Sequence, residues 1–129
     1  MRSLPKLIFD HFRNPRHMGR LEPADAIGRI EGSHEESWIV LTLRLREGGG
    51  GIESGYELIG DRSAVAGLSL LTTWLAGRRW ADAEGLTLDA FVAELGLEHE
   101  FQPMLLKPFD ALAAALANRR GEPNPFAND

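Results

Sequence analysis

The stretch from Trp38 to Arg46 alternates strictly between two kinds of side chain, and it constrains the fold more than any other part of the chain. Ile39, Leu41, Leu43 and Leu45 fall on one face; Val40, Thr42, Arg44 and Arg46 fall on the other. A side-chain period of two is the pattern of a half-buried β-strand. Gly48 to Gly51 follow as a flexible turn, and Ile52 to Ile59 supplies a second strand, which makes a hairpin with a slightly long loop. Ala26 to Glu31 is placed to pair alongside as a shorter first strand. So small a sheet must bury its apolar face against helices.

Helical patterns flank the hairpin on both sides. Leu4, Leu7, Ile8 and Phe12 recur at helical spacing, with Ser3 as N-cap and Pro5 in the first turn. Asn14-Pro15 must end this helix, because a residue before proline is pushed out of the α region. Asn14 to Pro23 then reads as an ordered loop in which Gly19 is free to take a positive φ. Ser63 to Ala76 is a strongly apolar helix (Val65, Leu68, Leu71, Leu75) stopped by Gly77, and its Ala64, Ala66 and Gly67 suit close packing on a sheet. Thr87 to Leu95 predicts a short helix between Thr87 as N-cap and Gly96 as C′. Phe109 to Arg120 predicts another, with Leu112 and Leu116 inward and Arg119-Arg120 at the negative end of its dipole. The expected order is α-β-β-β-α-α-α: an α+β fold whose small, about three-stranded antiparallel sheet is covered by helices. A single domain over residues 1–120 and a flexible C-terminal tail over 121–129 complete the organisation.

Composition removes several classes of chemistry. The 129 residues include no cysteine, which excludes disulfides, zinc ribbons, cysteine nucleophiles and a thiolate-ligated iron–sulfur cluster. A net charge of −5 with no clustered basic face argues against nucleic acid as a partner. No run approaches the ~20 apolar residues of a membrane span. The opening MRSLPKLIFDHFRNPRHMG carries Asp10 and lacks the apolar core of a signal peptide, so the cytoplasm is the expected location. Ser63 and Ser69 have no argued histidine partner, and the glycine run lacks the Lys-Ser/Thr of a phosphate loop. Nothing in the chain points to an enzyme.

Three stretches carry a family resemblance. FDHFRNPRHMGRL resembles the "DH-[YF]-x-NPR-x-x-G" start of the U-type iron–sulfur cluster assembly scaffolds, the IscU/SufU/NifU N-terminal family. EGSHEESWIVLTLRL is similar to that family's "NP-x-CGD" loop running into its second strand, and YELIGDRSAVAGLSLLTTWLAGR to its "F-x-x-x-G-C-x-[AS]-x-x-A-S-x-S-x-x-T-x-x-[LIV]-x-G". The resemblance covers roughly residues 4–119 and implies the SufE/NifU-type fold. It further implies a scaffold that holds a nascent cluster, or zinc, on three cysteines plus an aspartate or histidine, and that receives sulfur from a cysteine desulfurase.

Matched residue by residue, those ligands are absent. The first cysteine falls on Glu35, the neighbouring glycine on Glu36, the aspartate on Ser37 and the second cysteine on Asp61. The third falls at Met104, to within a residue, preceded by Pro103. The chaperone-docking "LPPVK" of some members is replaced by EHEFQP, and Pro108 near the start of the last helix is a further departure.

The resemblance therefore implies an iron–sulfur cluster assembly scaffold homologue with a degenerate ligand site. It would be cluster-less and non-catalytic, expected to need no cofactor and to act by binding a cysteine desulfurase or another iron–sulfur assembly protein. Glu35 and Asp61 admit a second role: with His34 and His99 they are the candidate ligands of a rebuilt divalent-metal site. Against this stands ordinary chemistry, with Asp61 serving a helix start and Glu35 and His34 solvated in a loop. Arg13, Asn14, Pro15 and Arg16 are candidate partner-binding residues, besides building the turn that lays the first helix on the body. Trp74 and Trp80 flank Gly77-Arg78-Arg79 as a contact patch or as rim packing.

Overall fold

The structure, a computed structural model, describes residues 5–32 and 35–126. Its elements are α1 (Lys6–Arg13), β1 (Ala26–Glu31), β2 (Trp38–Leu45), β3 (Ile52–Ile59), α2 (Ala64–Leu75), α3 (Trp80–Gly85), α4 (Leu88–Leu95) and α5 (Leu106–Arg119). The strands form one antiparallel sheet in the order β1-β2-β3. Leu41 lies opposite Gly28 on one side and Tyr56 on the other. This is the α+β architecture read from the sequence, with α3 added between α2 and α4. Trp80–Gly85 spans only six residues and ends on a glycine, too short for an apolar period to show.

The inner sheet face carries the core. Ile39, Leu41 and Leu43 join Ala26, Ile30, Ile52 and Tyr56 under Leu68, Leu71 and Leu75 of α2 and Leu112 and Leu116 of α5. Helix α5 lies directly against β1: a Cβ at Gly28 would overlap the Ala111 carbonyl oxygen and crowd Ala115. Only glycine permits that backbone approach. The small residues of α2 do something different from what their sequence suggests. Gly67 faces the Met104 carbonyl oxygen and the Pro108 ring, so it makes room for the 3-10 turn His99–Leu105 and for α5 rather than for the sheet. Pro108 sits in the first turn of α5, which begins at Leu106 rather than Phe109; a proline there costs no helical hydrogen bond.

Strand β2 is not half-buried as its alternation implies. Val40 and Thr42 on the outer face are 2% and 0% exposed. The loop after α1 reaches this face at Thr42: the Leu21 N–H donates to Thr42 Oγ1 at 3.0 Å, and that hydroxyl donates to the Gly55 carbonyl at 2.9 Å. Leu45, on the inner face by parity, is exposed instead because it lies at the sheet end. Helix α1 departs from expectation too. Ile8 and His11 face inward while Phe12 is exposed, and the proposed cap Ser3 and Leu4 lie outside the described residues.

Both sheet edges are occupied, by different means. Along β3, the Gly19 N–H donates to the Tyr56 carbonyl and the Tyr56 N–H to the His17 carbonyl, while Ile52 exchanges main-chain bonds with Gly77 and Arg78. Along β1 the partners are side-chain amides: Asn118 Oδ1 accepts from the Ile27 N–H at 2.9 Å, and Asn124 Nδ2 donates to the Arg29 carbonyl at 2.7 Å. Trp74 and Trp80 pack at the rim of the core. Trp74 meets Phe91 edge-on at 6.3 Å under the Arg78 guanidinium, and Trp80 is covered by Arg119.

A Cβ at Gly55 would overlap the Gly19 carbonyl oxygen, whereas one at Gly85 would meet nothing within 4 Å. Gly55→Ala is expected to lower stability in urea unfolding by about 1–3 kcal/mol, as overpacking against backbone does. Gly85→Ala should raise it by up to about 1 kcal/mol.

Candidate functional site

Glu35, Ser37 and Asp61, which the resemblance sets against the family's ligands, lie at one end of the sheet, where β2 begins and β3 ends; Trp38 and Ile59 are paired there. The loops on either side touch. A Cβ at Gly32 would crowd both Ser37 Oγ and Asp61 Oδ2, and one at Gly60 would sit 2.9 Å from Ser37 Cβ. Ser37 and Asp61 are therefore neighbours in a tight pack, and both are buried, at 4% and 1% exposure. Ser63 donates its hydroxyl to Asp61 Oδ1 at 2.7 Å. Ser63, not Asp61, holds the N-cap position of α2; Asp61 serves the helix start through its backbone oxygen, which accepts the Ala64 N–H at 3.1 Å.

Glu35 and Glu36 stand exposed on the loop before Ser37. Glu36 has φ 63, in the left-handed region. A glutamate there is strained, and the matching family position is a glycine. The loop holds a backbone shape that suits glycine better than the glutamate it contains. Met104 is partly buried in the 3-10 turn and packs against the core beside fully buried Leu105. His99, exposed in the same turn, lines an open groove of about 410 Å³ with Glu100, Gln102, Pro103 and Leu106. His34 lies outside the described residues. Among the described residues, no three of the His, Asp and Glu side chains come together in a group that could hold a metal ion.

The donors at the matched positions are an exposed carboxylate, a buried hydroxyl, a buried carboxylate engaged by Ser63, and a thioether turned into the core. Sulfide-bridged iron is held by thiolate, with imidazole replacing only part of the set. This donor set does not fit an iron–sulfur cluster.

The basic run after α1 is used differently along its length. Arg16 turns inward: its N–H donates to Ser69 Oγ at 2.9 Å, and its Nη2 pairs with Asp10 at 2.7 Å, which holds that carboxyl below the usual range. Arg13 stays exposed, 5.5 Å above the Phe9 ring. Asn14 closes α1, its N–H donating to the Asp10 carbonyl, and Pro15 follows in the turn.

Beneath them lies a polar cluster, buried at His11, Ser69 and Thr72 and open to solvent at His17, that reading by residue type overlooked. His11 Nδ1 is 2.7 Å from Ser69 Oγ, and His17 Nδ1 is 3.1 Å from Thr72 Oγ1. The Tyr56 hydroxyl is buried beside Ser69 without a well-formed hydrogen bond; burial pushes its pKa up to about 12, with Ser69 pulling the other way. The signal was present in the two motifs, Asp10-His11 with Asn14-Pro15-Arg16 and Ser69 with Thr72, which prove to be opposite sides of one contact.

Relieving the strain at Glu36 offers a check on the loop. An αL residue other than glycine costs about 1–3 kcal/mol, and glycine costs ~0.5–1 kcal/mol in lost chain entropy. Glu36→Gly is therefore expected to raise stability by about 1 kcal/mol in urea unfolding, and Glu35→Gly to give no gain.

Comparison with known proteins agrees with this geometry. The model of the NifU-like N terminal domain family matches residues 4–124. The iron–sulfur cluster assembly scaffold protein IscU of Buchnera aphidicola subsp. Schizaphis graminum is 26% identical over 122 residues, covering 92% of this chain and 95% of that protein. IscU 1 of Archaeoglobus fulgidus is 30% identical over 69% of this chain, which spans 58% of that relative. The crystal structure of a NifU-like protein (N-terminal) from Brucella abortus superposes with a TM-score of 0.65 at 17% identity, over 92% of this chain and 95% of that one. With the family model matching nearly its whole length and the fold agreeing, this chain belongs to the NifU-like N-terminal domain family, that of the iron–sulfur cluster assembly scaffolds.

Proposed function

We propose that this chain is a non-catalytic, cluster-less member of the scaffold family that acts by binding a protein of iron–sulfur assembly, with a cysteine desulfurase the first candidate. The observation that carries this reading is the contrast between the two ends of the molecule. The ligand-end loops hold hard oxygen donors, two of them buried, where a cluster would need thiolates. The α1 end, by contrast, is firmly built and presents an outward face. There Phe9 is 49% and Phe12 41% exposed, beside Arg13 and Lys6. Exposed aromatics next to a guanidinium are the side chains that dominate protein–protein binding energy. Arg13, Asn14, Pro15 and Arg16 have divided roles in this proposal. Arg13 contacts the partner, and the other three hold α1 in the orientation that presents it. The domain that does this spans residues 1–120, with 121–129 as its tail.

Two measurements test the proposal together. Anaerobic incubation with ferrous iron and sulfide should leave the protein without the visible absorption of a [2Fe–2S] centre and without stoichiometric iron; a stable cluster would overturn the cluster-less assignment. Calorimetric titration with the desulfurase of the same cell should show saturable binding, weakened about tenfold or more in Phe9→Ala/Phe12→Ala, the loss expected for truncated hot-spot residues. Absence of binding, or equal binding by the double variant, would reject α1 as the docking face.

A further inference from the structure

Strand β1 is the sheet edge opposite β3, and among the described residues no main-chain segment pairs along it. Its burial alternates strictly: Ala26, Gly28 and Ile30 are buried, while Ile27, Arg29 and Glu31 are exposed. In an antiparallel strand the N–H and C=O of one residue point to the same side, and successive residues point to opposite sides. The Ile27 N–H and the Arg29 carbonyl both meet side-chain amides at the edge. Ile27, Arg29 and Glu31 therefore turn their main-chain groups outward from the sheet.

The cover over this edge is thin. Asn118 reaches it from α5 at 2.9 Å, and Asn124 from the segment beyond at 2.7 Å. Asn124 stands between Pro123 and Pro125, neither of which has an N–H to donate. Its Oδ1 accepts the Phe126 N–H at 2.9 Å, so the segment folds on itself and meets β1 through a side chain.

A second β1 strand fits this edge better. Two-fold pairing keeps Ile27, Arg29 and Glu31 of both copies on one face. Centred on Ile30, it sets Arg29 opposite the second copy's Glu31 and Glu31 opposite the second copy's Arg29. Each of these pairs is also main-chain bonded, the Glu31 N–H of one copy donating to the Arg29 carbonyl of the other. Centring on Arg29 or on Glu31 sets like charges against each other, and centring on Gly28 sets Ile27 against Arg29. Centring on Ile27 sets Arg29 against Asp25, whose carboxylate already accepts the Leu45 N–H at 2.8 Å, and it displaces Asn118. The Ile30 register alone satisfies opposite charges on both sides of the axis and leaves the Asn118 bond in place.

We propose that β1 is a self-association edge: a second copy of this chain adds antiparallel to it in the register centred on Ile30, and Asn124 is the residue that must yield. The acceptor this pairing needs, the Arg29 carbonyl, is the group that Asn124 holds. Few main-chain bonds join two such short strands, so the association is weak and depends on protein concentration. It uses the edge away from the loop that follows α1, and it does not rest on docking of a desulfurase.

Analytical ultracentrifugation of the full chain over a concentration series tests it. Asn124→Ala removes the competing amide from both copies and should tighten self-association about tenfold or more. In that background, Arg29→Glu and Glu31→Arg each set like charges opposite one another, and each chain alone should associate about tenfold or more less tightly. Mixed together, the two should associate again, because one strand then offers two carboxylates and the other two guanidiniums. A variant that had merely lost its fold would not regain association on mixing. The proposal is overturned if Asn124→Ala sediments as the unaltered chain does, if either charge variant alone associates as tightly as Asn124→Ala, or if the mixture stays monomeric. Tighter binding of a desulfurase to Asn124→Ala without self-association would give the edge to that partner and would likewise overturn it.

Discussion

Helix α1 and the turn after it meet the body at one shared oxygen, Ser69 Oγ. It takes the Arg16 N–H on one side and meets His11 Nδ1 on the other, so helix, turn and body are joined at one point. The consequences spread outward along the chain. With α1 and its turn anchored, the following loop runs along the edge of β3 at Tyr56 and then over the outer sheet face at Thr42. That contact is why Thr42 is buried although the core helices lie on the other face. Removing such a buried acceptor strands two polar partners at once, and each carries a desolvation cost of about 1–3 kcal/mol.

Where a local pattern was governed by one burying surface, it was legible before the structure. The alternation of β2, the second strand, the apolar run of α2 and the Thr87 and Gly96 caps of α4 are all of this kind. Misreadings arose where a second surface intervened. Phe12 continues the helical spacing of Leu7 and Ile8, yet the inward position one turn after them belongs to His11, a polar residue whose partner Ser69 is 58 positions away. Thr42 was assigned to solvent because nothing local says that a loop will reach it. Gly28 and Gly67 mark backbone contacts with α5 and the 3-10 turn, and glycine names neither its neighbour nor the distance.

At the ligand end the sequence showed which residues stand at the family's positions but not what they do there. Ser37 and Asp61 form a buried polar pack, while Glu35 and Glu36 project from it. Exposure separates these carboxylates, and exposure is a product of the fold rather than of residue type. The left-handed Glu36 adds a backbone shape that its own side chain does not favour. The loop is set by its flanking strands and by Gly60 against Ser37, and these contacts need no metal.

The amides along β1 give the far end of the chain an importance out of proportion to its size. Asn118 and Asn124 occupy main-chain groups of β1 that a foreign strand would otherwise use, whereas β3 is shut by the chain's own backbone. A cut between Gly121 and Asn124 would remove no strand or helix, though a cut before Glu122 would also cost α5 the bond from the Glu122 N–H to its Ala117 carbonyl. It would nonetheless free the Arg29 carbonyl and leave β1 as a template for strand addition. Asn124 thus closes a strand edge from a position outside every helix and strand, and the chain beyond α5 finishes the sheet that the chain before it began.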